Sequence, residues 1–202
     1  MIWKSTKYRI SLCVVGLLAA GCFQSDYTKL VKRELSRGVR QDSILLGIRF
    51  GDTQMDFFGK CFDLNSAGTV REGPGSGSVR FPLVDSLFHK SPTPIRFLFN
   101  PTYDDKMQIS EMVFEISYDA WSPWNRRLQA DSLKLPAVQM LMNWYKGNEF
   151  ILVEIDDDEL LVKLDCNRRI VVYKKDTETI VAKVQDLLNP MFAHTSTEVD
   201  KK

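Results

Sequence analysis

At 202 residues with 44% hydrophobic and 11% aromatic residues, the chain has material for one larger domain or two small ones with a real core. Three basic residues and no acids fall in the first 21, so 24 Lys+Arg face 26 Asp+Glu beyond them, a formal charge of −2. That balance leaves no basic excess to hold a phosphate backbone, and nucleic-acid binding is set aside. With only His89, in a Pro-rich loop, and His194, near the C-terminus, a histidine-based zinc site or nucleophile pair is set aside too.

The chain opens with Lys4, Lys7 and Arg9, runs from Ile10 to Ala20 with almost no polarity, and closes on Ala19-Ala20-Gly21-Cys22. A basic start, an apolar middle and small residues at the cut are the layout of a signal peptide over residues 1–21. The apolar run is shorter than the roughly 20 residues that cross a bilayer. A cysteine directly after small residues resembles the lipobox of bacterial lipoproteins, here with Ala19 where leucine is usual. The resemblance implies that Cys22 becomes the lipid-carrying first residue, at about 0.8 kcal/mol per buried methylene. It also implies export to the periplasmic side of the envelope, and Phe23 after the cysteine leans towards the outer membrane over the inner.

Residues 22–42 are expected as a tether and a short amphipathic helix, with Ser25-Asp26 as its cap, scattered apolar positions at Tyr27, Leu30, Val31, Leu35 and Val39, and Gly38 as its end. Residues 43–120 start with an apolar lead, Ile44 to Phe50, which Gly51 breaks. Thr53 with Asp56 three residues on is an acidic variant of the capping box. Phe57, Phe58, Cys61, Phe62 and Leu64 line one apolar face of the helix that follows, and Asn65 to Gly68 stops it. The period then changes to two, predicting strands at Thr69–Glu72, Val79–Leu83, Ile95–Asn100 and Glu111–Tyr118.

Residues 121–188 repeat that order. Ala137 to Tyr145 reads as a helix with Pro136 in its first turn and Gly147 beyond its end. Alternating runs follow at Phe150–Ile155, Leu160–Leu164, Arg169–Lys174 and Thr179–Val184, and residues 189–202 are expected as a flexible tail. The fold class is therefore α+β: two similar units in tandem, each a helix plus an antiparallel sheet of about four strands. One such unit buries little by itself, and two sharing an interface gain core that neither has alone.

Cys22 taken together with "LLGIRFGDTQMDFFGKC" resembles small bacterial lipoproteins of the SmpA/OmlA (BamE-like) type, whose helix follows an apolar-Gly-x-Thr turn, here Phe50-Gly51-Asp52-Thr53. Those proteins and the β-lactamase inhibitor proteins share helix-then-antiparallel-sheet units, and the inhibitors hold two in tandem. The likeness spans residues 44 to about 118, with Asp52 where such turns often carry methionine. It implies non-enzymatic binding in the envelope.

Few residues carry reactive chemistry. Cys61 and Cys166 are expected as free core cysteines, with a bridge between them as the alternative. "EGPGSGSVR" lacks the Lys-Ser/Thr ending of a phosphate loop and reads as a hairpin loop. "IDDDEL" lacks the EF-hand alternation and reads as a charged hairpin tip. Asn167-Arg168-Arg169 reads as a β-turn with asparagine supplying left-handed backbone. Trp121, Trp124, Arg126 and Arg127 are the sharpest candidates, since tryptophan and arginine so often dominate interface energetics. Either they form a partner-binding loop, or the tryptophans pack between the two halves. No cofactor or metal is expected, and the expected contacts are the membrane through the lipid on Cys22 and an envelope protein. The functional expectation is a lipid-anchored, non-enzymatic protein-binding adaptor. Its rivals are a small-ligand carrier with a pocket between helix and sheet, and an enzyme assembled around groups such as Asp104, Asp105 and Arg96.

Overall fold

The structure, a computed structural model, describes residues 26–75, 77–83, 93–155 and 158–193. The signal segment, Cys22, His89, His194, Asp156 and Asp157 lie outside the described residues. In chain order the elements are α1 (Asp26–Ser36), β1 (Ser43–Leu45), β2 (Ile48–Arg49), α2 (Gln54–Ser66), β3 (Arg71–Glu72), β4 (Val79–Pro82), β5 (Ile95–Tyr103) and β6 (Ile109–Tyr118). Then follow a 3₁₀ turn (Arg126–Leu128), α3 (Ala130–Trp144), β7 (Ile151–Ile155), β8 (Asp158–Asp165), β9 (Arg168–Lys174), β10 (Thr179–Asp186) and a last helical turn, α4 (Pro190–Ala193).

Mixed α+β class is the outcome. β1 and β2 make a small hairpin, and the other strands form one antiparallel sheet in the order β3-β4-β5-β6-β10-β9-β8-β7. Each run of four consecutive strands is thus a meander preceded by a helix, and the two last strands, β6 and β10, join them. The join is a full ladder, with Ala182 opposite Phe114 and Val184 opposite Met112. No edge is left between the halves, so the burial that either run would lack alone is shared along that seam.

Strand alternation sorts side chains onto two faces. One row reads Val79, Phe99, Phe114, Ala182, Val172 and Leu161 across six strands, and it faces α2 and α3. Here α3 contributes Leu133, Ala137, Met140 and Leu141, all fully buried. Its Trp144 reaches back over the first four strands, 5.5 Å from Phe97 and 6.4 Å from Phe81 between ring centroids. A single core therefore spans both halves.

The opposite face is covered at one end by α1, whose Tyr27 and Val31 pack with Val153, Val162, Leu164, Leu187 and Phe192. A polar row crosses four strands beneath it. Arg169 Nε donates to Gln185 Oε1 (2.7 Å), Gln185 Nε2 to Glu111 Oε2 (2.5 Å), and Thr102 Oγ1 to Glu111 Oε1 (3.2 Å). From α1, the Tyr27 hydroxyl accepts from Arg169 Nη1 at 2.7 Å. The buried Arg169 guanidinium and Glu111 carboxyl are thus each hydrogen-bonded, as buried polar groups must be to offset their desolvation.

Three local expectations are corrected. The α3 helix starts at Ala130, not 137, so Pro136 sits in its interior. The first amide of α3 is satisfied from outside the helix, Ala130 N–H donating to the Thr177 carbonyl (3.0 Å), a long-range contact that no local pattern announces. In the β8–β9 turn the left-handed residue is Cys166 (φ 56°), while Asn167 is buried and spans Gln41 and Asp186. Residues 189–193, expected as tail, include α4, with Phe192 buried against α1. The short helix expected from Asp26 is present over residues 26–36, docked with Tyr27, Thr28, Val31 and Glu34 buried.

Candidate functional site

Helix α2 is where local chemistry and surface coincide. The Thr53 hydroxyl accepts from the Asp56 amide (3.2 Å) and the Asp56 carboxylate accepts from the Thr53 amide (2.9 Å), so the box satisfies two backbone donors at the helix start. The Thr53 hydroxyl also donates to the Asp56 carboxylate (2.7 Å), and that bond first, then the one from the Thr53 amide, holds the Asp56 carboxyl below its ordinary value. Lys60 Nζ ties the helix to the preceding turn through Asp52 (2.5 Å) and the Gly47 carbonyl (2.9 Å). Gly51, at φ 82°, makes the entry turn that only glycine takes without strain.

The expected single apolar face splits into two stripes. Phe57, Cys61 and Leu64 point to the sheet, with Phe57 fully buried and 6.3 Å from Phe99 in an edge-to-face pair. The neighbouring stripe, Met55, Phe58 and Phe62, is 80%, 49% and 73% exposed. At i, i+3 and i+7 these side chains are adjacent on the helix surface. Beside them lies a groove of about 300 Å³ between α2 and the edge strand β3 with its neighbour β4, lined on its apolar side by Phe57, Phe58, Cys61, Phe62, Val70 and Val79. Burial pushes the Cys61 thiol up to about 11, and Cys61 and Cys166 are both free. Under the same helix the Tyr103 hydroxyl is buried without a hydrogen-bond partner, and burial, then Cys61, pushes it up to about 12.

The Trp-Arg segment divides between the two readings. Trp121 is half-buried and its ring N–H donates to the Thr177 carbonyl (3.1 Å), the same oxygen that accepts from the first amide of α3. Its place is structural: it pins the β9–β10 turn to the start of α3. Trp124 is 89% exposed, and Arg126 and Arg127 are exposed on the 3₁₀ turn, whose start is capped by Asn125 Oδ1 accepting from the Arg127 amide.

Other candidate groups are not brought together. Arg96 pairs with Glu178 (2.5 Å) at one end of β5, while Asp104 lies just past the other end and serves as a turn cap. Asp104 accepts from the Gln108 and Lys106 amides and from Asn189, and these bonds, Gln108 first, lower its pKa. Lys163, completely buried, is held by the Asn148 carbonyl and by Asp165 (2.9 Å), whose Oδ1 also accepts from the Asn148 amide. Arg168 beside it lies 4.7 Å above the Tyr145 ring and donates to the Ser43 carbonyl. This cluster ties the β8–β9 turn to β1 and to the residues that follow α3. Among the described residues, no group of three His, Cys, Asp or Glu is placed to hold a metal ion, and no helix is long and apolar enough to cross a membrane.

Compared with protein-family models, curated proteins and solved structures, the chain matches none of them. The residues missed from sequence are Met55 and the outward role of Phe58 and Phe62. Their signal was present as an apolar stripe wider than one packing face needs.

Proposed function

We propose that the protein is a lipid-anchored envelope protein, fixed through Cys22, that binds another protein without catalysing a reaction. The observation that supports this reading is the exposed stripe of Met55, Phe58 and Phe62 beside an apolar groove. Large apolar side chains held contiguously in solvent by a capped helix mark interaction surfaces. Trp124 with Arg126 and Arg127 forms a second contact point with the aromatic-plus-guanidinium composition of binding hot spots. In this reading the two helix-plus-four-strand halves are a tandem repeat, one helix consumed by the shared core and the other left for the partner. Outer-membrane attachment is part of the proposal.

The groove volume lies at the low end of the range for small-ligand sites, which keeps a carrier as the second reading. Photo-crosslinking in intact cells separates the two. A crosslinker at Phe62 should capture one defined protein that a crosslinker at Lys175 does not, and Phe58→Ser should abolish the capture. Equal, diffuse labelling from both positions would reject the adaptor.

A further inference from the structure

We infer that the exposed face of α1 is a contact surface for anionic phospholipid, so that the body lies against the bilayer in one orientation. The inference rests on lipidation of Cys22 for its geometry and on the charge of α1 for its chemistry. Between Cys22 and Asp26 there are four peptide steps, and a fully extended chain covers them in at most roughly 14 Å. Because α1 is docked and begins at Asp26, with Tyr27 and Thr28 already buried, the helix start cannot stand farther than that from the anchored sulfur's residue. A lipid chain on Cys22 thus brings α1 to the headgroup layer.

The face presented there is basic. Residues 26–42 hold five Lys/Arg and three Asp/Glu, a net +2 in a chain that is otherwise net −4 beyond the signal segment. One of the three acids, Glu34, is turned inward: its carboxylate accepts from the Cys166 amide (3.2 Å) and from Arg37 (2.9 Å). Burial raises its pKa, but the Cys166 amide, Arg37 and Asn148 together bring it below the ordinary value, so it stays an anion that does not face solvent. Outward stand Lys29, Lys32, Arg33, Arg37 and Arg40. Lys29 pairs with Asp26 (3.0 Å), Arg33 lies 3.4 Å from Glu34, and Arg40 is shared between Asp42 (2.6 Å) and Asp186 (3.5 Å). Lys32 has no ion pair among the described residues. Clusters of roughly four to eight Lys/Arg beside an anchor are what anionic leaflets attract, and one lipid chain plus a basic patch binds more stably than either alone.

The orientation follows from the sheet. With α1 on one face and α2 and α3 on the other, a bilayer under α1 leaves the Met55–Phe58–Phe62 stripe pointing away from lipid, open to a protein partner.

Lysine footprinting by acylation and mass spectrometry tests this on the exported full chain reconstituted in vesicles. Vesicles of phosphatidylcholine alone are compared with vesicles carrying about 30% phosphatidylglycerol. Lys29 and Lys32 should react about threefold or more slowly on the anionic vesicles, with the protection lost near 0.5 M salt. Lys175, at the far end of β9, should be unchanged. Equal rates for Lys29 and Lys32 on the two vesicles overturn the inference even if residue 22 is acylated. The mass of the N-terminal peptide reads the anchor separately: protected lysines on a chain with bare Cys22 uphold the basic surface and discard the lipid. Lys32→Glu with Arg33→Glu, two exposed positions, should abolish the protection of Lys29 without changing the rate at Lys175.

Discussion

Helices α2 and α3 lie over the same face of one sheet, yet they are used in opposite ways. Five residues of α3 are buried, and its Trp144 extends over strands of the other half. Of α2 only Phe57 is buried, and three large apolar side chains remain in solvent. The difference comes from position over the sheet. The β6–β10 seam places β9, β10 and β6 under α3, so that helix covers the middle, while α2 sits at the edge beside a two-residue strand. An edge helix meets sheet on one side only, and its second apolar stripe has nothing to cover it.

That contrast can be broken most directly at its anchor. Phe57→Ala should cost about 3–5 kcal/mol in urea unfolding, as large as truncations in α3, because Phe57 is the one α2 side chain fully inside the core. A loss below about 1 kcal/mol would show α2 to be barely attached. Cys61, on the inward stripe, sharpens the picture through its thiol. With its pKa raised from 9.0 to about 11, alkylation near pH 8 should run roughly 100-fold slower than for an ordinary thiol and rise about tenfold per pH unit until it levels near 11. A group raised in the fold favours folding below its unfolded value, so the same shift makes stability fall as pH climbs from 9 towards 11. Ordinary reactivity at pH 8 would place Cys61 in solvent. Removing the capping box by Thr53→Ala should cost about 1 kcal/mol, read by thermal unfolding. The smallest effect belongs to the outward stripe: Met55→Ser should change stability by no more than about 0.5 kcal/mol while weakening partner capture by the crosslinker at Phe62.

Much of the local structure was legible. The Thr53–Asp56 box, Gly38 after α1 and the switch from helical to alternating period all rest on interactions within a few residues of each other, and the structure has each in place. The start of α3 was not legible, because its first amide is satisfied by Thr177, some 47 positions away along the chain. Nor was the split fate of Trp121 and Trp124. Two tryptophans three residues apart carry the same propensity, and only the arrival of the β9–β10 turn gives one of them a carbonyl to bond. The polar row from Thr102 to Arg169 was equally hidden, since four unremarkable residues become a network only when four strands align them.

From sequence alone came the three long helices and the eight strands of the large sheet, the order helix then strands in each half, the cap of α2 and the charge of residues 26–42. All of these follow from side-chain spacing and short-range hydrogen bonding. Tertiary structure alone decided which apolar stripe is core and which is surface, because burial depends on what lies across the gap, and that is set by strand pairings between residues far apart in the chain. The same long-range pairing joined eight strands into one sheet, put α1 on one side and α2 on the other, and left Met55, Phe58 and Phe62 facing water.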